Sequence, residues 1–110
     1  MISEEHENYT LLKDERDDIK EFAIFLGRIY DQFQGKNLVI DLLQYEKASL
    51  MDMICFLELS NKHRATKHSF VIVNTALSMD EVPEELMIVP TIHEAQDVIG
   101  MEEMERELGF

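Results

Sequence analysis

Apolar and polar residues follow two periods along this chain, and the places where one period gives way to the other mark its elements. Between Asp17 and Gln34 the apolar positions Ile19, Phe22, Ala23, Leu26, Ile29, Tyr30 and Phe33 recur at i, i+3, i+4 and i+7. That is the stripe of a helix with one buried face. Asp14, Asp17 and Asp18 stand near its start, where the helix dipole favours anions. Gly35 follows it and tolerates the left-handed conformation that ends helices. Asn37-Leu38-Val39-Ile40-Asp41-Leu42-Leu43 is almost continuously apolar, the pattern of a strand covered on both faces. Ser69-Phe70-Val71-Ile72-Val73 repeats it, and Leu86-Met87-Ile88-Val89 is a shorter version stopped by Pro90. Asn8 to Leu12 is a weakly patterned further strand. Residues 1–7 are acidic and unpatterned, so they are expected to be flexible.

A second helix is predicted from Ser49 to Arg64, with Asp52 placed to complete a capping box. Leu50, Met51, Met53, Ile54, Cys55, Phe56, Leu57 and Leu59 put apolar side chains on nearly every side of it. Such a helix is expected to be central, or covered on its outer side. Lys62, His63 and Arg64 close it and complement the negative end of its dipole. Asn74 to Glu85 reads as a loop with at most one helical turn. Thr91 then caps a final helix, with Glu94 completing a second capping box. Ile92, Ala95, Val98 and Ile99 of that helix face inward. Gly100 offers a place to bend or divide it, and Met101, Met104, Leu108 and Phe110 continue an apolar side.

This order of strand, helix, strand, helix, strand, loop, strand, helix predicts an α/β fold. A single domain over residues 1–110 is expected, with a mixed, mostly parallel four-stranded sheet and helices packed on it. The two strands covered on both faces are joined by one helix and should be parallel neighbours.

Composition narrows the function. Lys plus Arg is 10 and Asp plus Glu is 23, a net charge of −13. This argues against direct contact with nucleic acid or an anionic membrane, because both need clustered positive charge. Residues 1–21 carry eight acids against three Lys/Arg, and residues 80–107 carry ten acids and only Arg106. The one basic cluster is Lys62, His63, Arg64, Lys67 and His68. No apolar run approaches a membrane span, and the first residues lack the pattern of a signal peptide. With a single cysteine there is no intrachain disulfide. A cytoplasmic location is expected.

Few residues carry chemistry. Cys55, mid-helix among Ile54, Phe56 and Leu57, reads as a buried, inert thiol. His6, His63, His68 and His93 include no pair at H-x-H or i, i+4 spacing. His63 and His68 are read as helix-capping, solvated side chains. There is no phosphate-binding glycine motif. No metal, no cofactor and no catalysis are expected. Met51, Met101 and Met104 are either core filling or an adaptable contact surface.

Several segments together carry a family resemblance. Val39-Ile40-Asp41-Leu42 precedes a helix by about eight residues, Phe70 to Val73 follows, and the chain closes through Ile88-Val89-Pro90-Thr91-Ile92-His93-Glu94-Ala95. Over residues 36–108 this resembles the STAS domain, the module of bacterial anti-sigma-factor antagonists and of the cytoplasmic tails of sulfate transporters. In that family a V-x-D-L strand leads to a D-S-S/T-G turn and a helix. A late strand leads to a T-x-x-E-A helix, matched here by Thr91, Glu94 and Ala95. The resemblance implies a non-catalytic regulatory module that binds protein. It places the working surface on Gln44, Tyr45, Lys47, Ser49, Leu50, Met51 and Asp52.

Counted from Asp41 without a gap, the D-S-S-G turn falls on Ser49-Leu50-Met51-Asp52. Met51 therefore stands where the family has its phosphorylatable hydroxyl, and Asp52 where it has glycine. Ser49 is the nearest hydroxyl and the phosphorylation candidate, with helix capping as its other reading. The first part of the chain departs from the family, which usually opens with a strand pair before its first conserved helix. The chain is also similar to small Bacteroidetes proteins often labelled ribonuclease Z, although it has no H-x-H-x-D-H zinc cluster. The alternative function is therefore an accessory or regulatory subunit of an RNA-processing enzyme such as ribonuclease Z, and not the nuclease. The expected partner is a protein with a basic patch, or a second copy of the chain.

Overall fold

The strands β1 (Ile2–Glu5), β2 (Thr10–Lys13), β3 (Leu38–Asp41), β4 (Phe70–Val73) and β5 (Met87–Val89) lie side by side in chain order in a computed structural model. The structure describes residues 1–109, so Phe110 lies outside it. β1 runs antiparallel to β2, and β2 through β5 are mutually parallel. Leu38 stands opposite Phe70 and Asp41 opposite Val73, which makes the two predicted central strands parallel neighbours. The helices are α1 (Ile19–Ile29), continued by a 3-10 turn over Tyr30–Phe33, then α2 (Leu50–Ile54), α3 (Leu57–Arg64) and α4 (Ile92–Glu107).

Side chains alternate across each strand, so an apolar run fills two cores. Crossovers of one hand between neighbouring parallel strands leave on one face. On that face Phe22, Leu26, Phe33, Met53, Phe56, Val82 and Leu86 pack against Leu12, Leu38, Ile40, Phe70, Ile72 and Ile88. The rings of Phe22 and Phe56 meet edge-on, 6.3 Å between centroids. α4 follows the last strand and covers the opposite face. There Ala95 and Ile99 pack against Tyr9, Leu11, Val39, Val71, Val73 and Val89. Because β2 to β5 follow chain order, the sheet has no reversal point, the place where open α/β sheets usually hold ligands.

Several expectations are corrected. The sheet has five strands and not four, because residues 2–5 are a strand and not a flexible leader. All four β1 side chains are exposed, so no alternation marked it in the sequence, and the pairing is made by backbone. Contacts at its ends hold it: the Met1 ammonium lies 3.0 Å from Glu15 and Lys36 Nζ 3.0 Å from Glu5. The helix expected over 49–64 is two. At the join the backbone tightens to i→i−3 bonds, Cys55 N–H to Asp52 O at 3.3 Å and Phe56 N–H to Met53 O at 3.0 Å. α4, by contrast, passes Gly100 without a break.

Cys55 is exposed, not buried. It lies off the buried stripe Met53, Phe56, Ser60 and His63, whose spacing is that of one helix face. His63 belongs to that stripe and is fully buried, not solvated. Its Nε2 lies 2.6 Å from the Lys36 carbonyl and its Nδ1 2.7 Å from the Tyr30 hydroxyl. A neutral ring protonated on Nε2 satisfies both, with the Tyr30 hydroxyl donating to Nδ1.

Candidate docking site at the ends of strands β2 and β3

Two loops meet at the carboxyl end of the sheet. The first follows β2. Asp14, directly after the strand, is buried and gathers the loop around its carboxylate. Oδ1 accepts from the Arg16 N–H at 3.0 Å and Oδ2 from the Asp18 N–H at 3.2 Å. Asp17, between those donors, takes a left-handed φ of 62°. Asp18 then caps α1 by accepting from the Glu21 N–H at 3.1 Å. The second loop follows β3. Asp41 turns it by accepting from the Leu43 N–H at 3.0 Å. Asn74, directly after β4, reaches across with its side-chain amide to the carbonyls of Leu42 at 2.8 Å and Tyr45 at 3.0 Å. Its Oδ1 accepts from the Ala76 N–H at 2.8 Å, which satisfies the buried amide on both sides.

The loops are joined by Tyr45 and Gln44. The Tyr45 hydroxyl donates to Asp14 Oδ2, and the Gln44 amide donates to Asp17 Oδ1 at 3.4 Å. Burial pushes the Asp14 carboxyl up, but the bonds from Tyr45 and the backbone outweigh it and hold it below the usual carboxylate range. Burial, and then the bond to Asp14, push the Tyr45 phenol up, so it remains a donor at any physiological pH.

α2 starts from this fixed loop. Ser49 Oγ accepts from the Asp52 N–H at 3.2 Å, and Asp52 Oδ2 accepts from the Ser49 N–H at 2.9 Å, a complete capping box. The residues singled out from the sequence come together here. Gln44, Lys47 and Ser49 are exposed, and Tyr45 and Asp52 half-buried. Leu50 is 39% exposed and Met51 67%, so Met51 is no part of the core. Beside them lies an open hollow of about 380 Å³ lined by Asp17, Gln44, Tyr45, Glu46, Lys47, Ala48 and Asp52. Its carboxylates outnumber its one cation. The site sets two exposed apolar side chains, Leu50 and Met51, next in the chain to a hollow lined mainly by acidic and polar residues, on a frame whose buried polar groups are paired.

Asp14, read from the sequence as an anion near the start of α1, and Asn74, read as the start of a loop, were not expected to build this frame. Asn74 carries a local signal, an Asn two residues before the N–H it accepts from at a strand end. Asp14 and Tyr45 are 31 residues apart and carry none. Among the described residues no three His, Cys, Asp or Glu side chains are placed to hold a metal ion, and no helix is long and apolar enough to cross a membrane. No family model, curated protein or solved structure matches the chain.

Proposed function

We propose that this chain is a STAS-like regulatory module, similar in role to an anti-sigma-factor antagonist, that binds a protein partner through the Gln44–Ala48 loop and the head of α2. The observation that carries the reading is the exposure of Leu50 and Met51 on a turn fixed by the capping box, Asn74 and the Tyr45–Asp14 bond. An apolar centre with a polar rim is the usual anatomy of a protein interface. Three features of the fold support the STAS assignment: an antiparallel strand pair ahead of α1, a parallel run of strands after it, and a last helix capped by Thr91.

The partner carries a basic patch. A second copy would set the acidic rim of Asp17, Glu46 and Asp52 against itself, in a chain of net charge −13. The usual serine switch is absent from this reading, because Met51 takes the hydroxyl's place and Ser49 Oγ caps α2. The module works without catalysis, in the cytoplasm. The other reading, an accessory subunit of an RNA-processing enzyme, rests on the acidic charge and on the similarity to small proteins labelled ribonuclease Z.

Capture of the partner by wild type, followed by binding to variants, tests this. Met51→Lys should leave the fold intact and cost about 2 kcal/mol of binding, the scale of a central interface residue. Glu84→Lys, on the exposed loop before β5, should cost little. A partner retained undiminished by Met51→Lys overturns the reading. If the captured protein is an RNA-processing enzyme, the alternative takes its place.

A further inference from the structure

α4 is apolar on two opposite sides, and only one of them faces the sheet. Ala95 and Ile99 point inward and are fully buried. Met101, Met104 and Leu108 lie on the other side, 63%, 62% and 67% exposed. Their spacing of three and four residues makes one ridge, about 10 Å long at 1.5 Å rise per residue. Gly100 lies beside the ridge in the helix interior. A Cβ built there would meet nothing within 4 Å, so the fold itself gives no reason for a residue that weakens a helix. A glycine beside an apolar ridge lets another backbone approach closely.

The charge around the ridge is one-sided. Glu94, Asp97, Glu105 and Glu107 are all exposed on α4. The helix has one Arg, and it is turned away: Arg106 reaches Asn37 Oδ1 at 3.4 Å and Ser69 Oγ at 3.4 Å. The only base on the outer side is His93, 3.7 Å from Asp97. The helix ends at Leu108 with Gly109 at φ 85°, so the negative end of its dipole adds to the same field.

From these observations we infer that the outer face of α4 is a second docking surface, whose occupant is a basic amphipathic helix of a partner protein. Apolar residues of that helix seat on Met101, Met104 and Leu108, and its Lys or Arg residues meet Asp97, Glu105 and Glu107. A second copy of the chain does not fit, because it would bring like charges together. The surface lies on the opposite face of the sheet from α2 and stands independently of the site there.

The test uses the full chain and two synthetic helical peptides with leucines on one face, one carrying lysines and the other glutamates on the remaining positions. Titration calorimetry should show saturable binding of the lysine peptide and none of the glutamate peptide. Met101→Gln with Met104→Gln keeps charge and helix propensity, and should weaken binding about tenfold or more. Ile24→Gln, on the exposed side of α1 and on the other face of the sheet, should leave it unchanged. Circular dichroism melting should give the same transition for all of these proteins, since each altered side chain is exposed. Three results overturn the inference: no binding of the lysine peptide to wild type, equal binding by the double variant, or an equal loss with Ile24→Gln.

Discussion

The Tyr45 hydroxyl donates to Asp14 Oδ2 across 31 residues of chain, and this bond ties the loop after β3 to the loop after β2. Asp14 has backbone donors as well, so its carboxylate is fully engaged only when Tyr45 is present. Tyr45→Phe removes one partner of a part-buried carboxylate and should destabilise the fold by about 1–3 kcal/mol near pH 7. The pH dependence has a definite sign. Asp14 is held below its unfolded value of about 3.9, so its contribution is present above that pH and is lost as pH falls through the folded value. The gap between wild type and Tyr45→Phe in urea unfolding should therefore narrow below about pH 4. A gap constant with pH would show that Tyr45 acts through packing alone.

His63 also loses its contribution as pH falls, but here the charged form is the disfavoured one. Burial pushes its pKa down, the Lys36 carbonyl works against this, and nearby His68 adds to the lowering. Its stabilising state is the neutral one. That contribution is complete above the unfolded value of about 6.5, and is lost as pH falls from there toward the folded value. Proton NMR titration should find the His63 ring changing charge below about pH 6.5. Unfolding free energy should drop between about pH 7.5 and pH 5.5 by more in wild type than in His63→Gln. A ring that titrates above 6.5 contradicts the buried neutral tautomer.

The parts that the sequence made legible share a physical cause, which is that periodicity reports burial. Ile19, Phe22, Leu26 and Phe33 drew α1, and Val39-Ile40 and Val71-Ile72 drew the two strands covered on both faces. β1 was hidden because Ile2 to Glu5 bury no side chain. His63 and Cys55 were misplaced although the stripe of Met53, Phe56, Ser60 and His63 separates them. The near-continuous apolar run from Leu50 to Leu57 masked that stripe. Of the residues named from the sequence for the candidate site, the structure shows Gln44, Lys47, Ser49, Leu50 and Met51 at the surface, whereas the bonds that hold the frame beneath them had no counterpart in the reading. Asp14, Tyr45 and Asn74 meet only through the sheet, and no local pattern announces contacts of that range.

Asn74 holds the Leu42 and Tyr45 carbonyls and the Ala76 N–H at one buried point. Asn74→Ala leaves these groups without partners and should cost about 2–4 kcal/mol in chemical denaturation. Hydrogen exchange at the Tyr45 and Ala76 amides should accelerate more than exchange in β3. Unchanged protection of both amides would mean that other contacts hold the loop.

Gly100→Ala should stabilise the chain. The position is inside α4, the added Cβ points into open space, and Ala is favoured over Gly in a helix by about 0.5–1 kcal/mol. The thermal midpoint should rise accordingly. A fall would mean that α4 needs a residue without a side chain there for folding rather than for contact.

The most direct measurement on the central claim is site-specific photo-cross-linking from position 51 in the native cell, with position 84 on the loop before β5 as the control. Met51 is 67% exposed beside Leu50 and the acidic rim. A probe at 51 should give one defined adduct with a protein whose contacting surface is basic, and a probe at 84 should not. The absence of any adduct at 51, or the same adducts from both positions, would contradict a docking site at the head of α2.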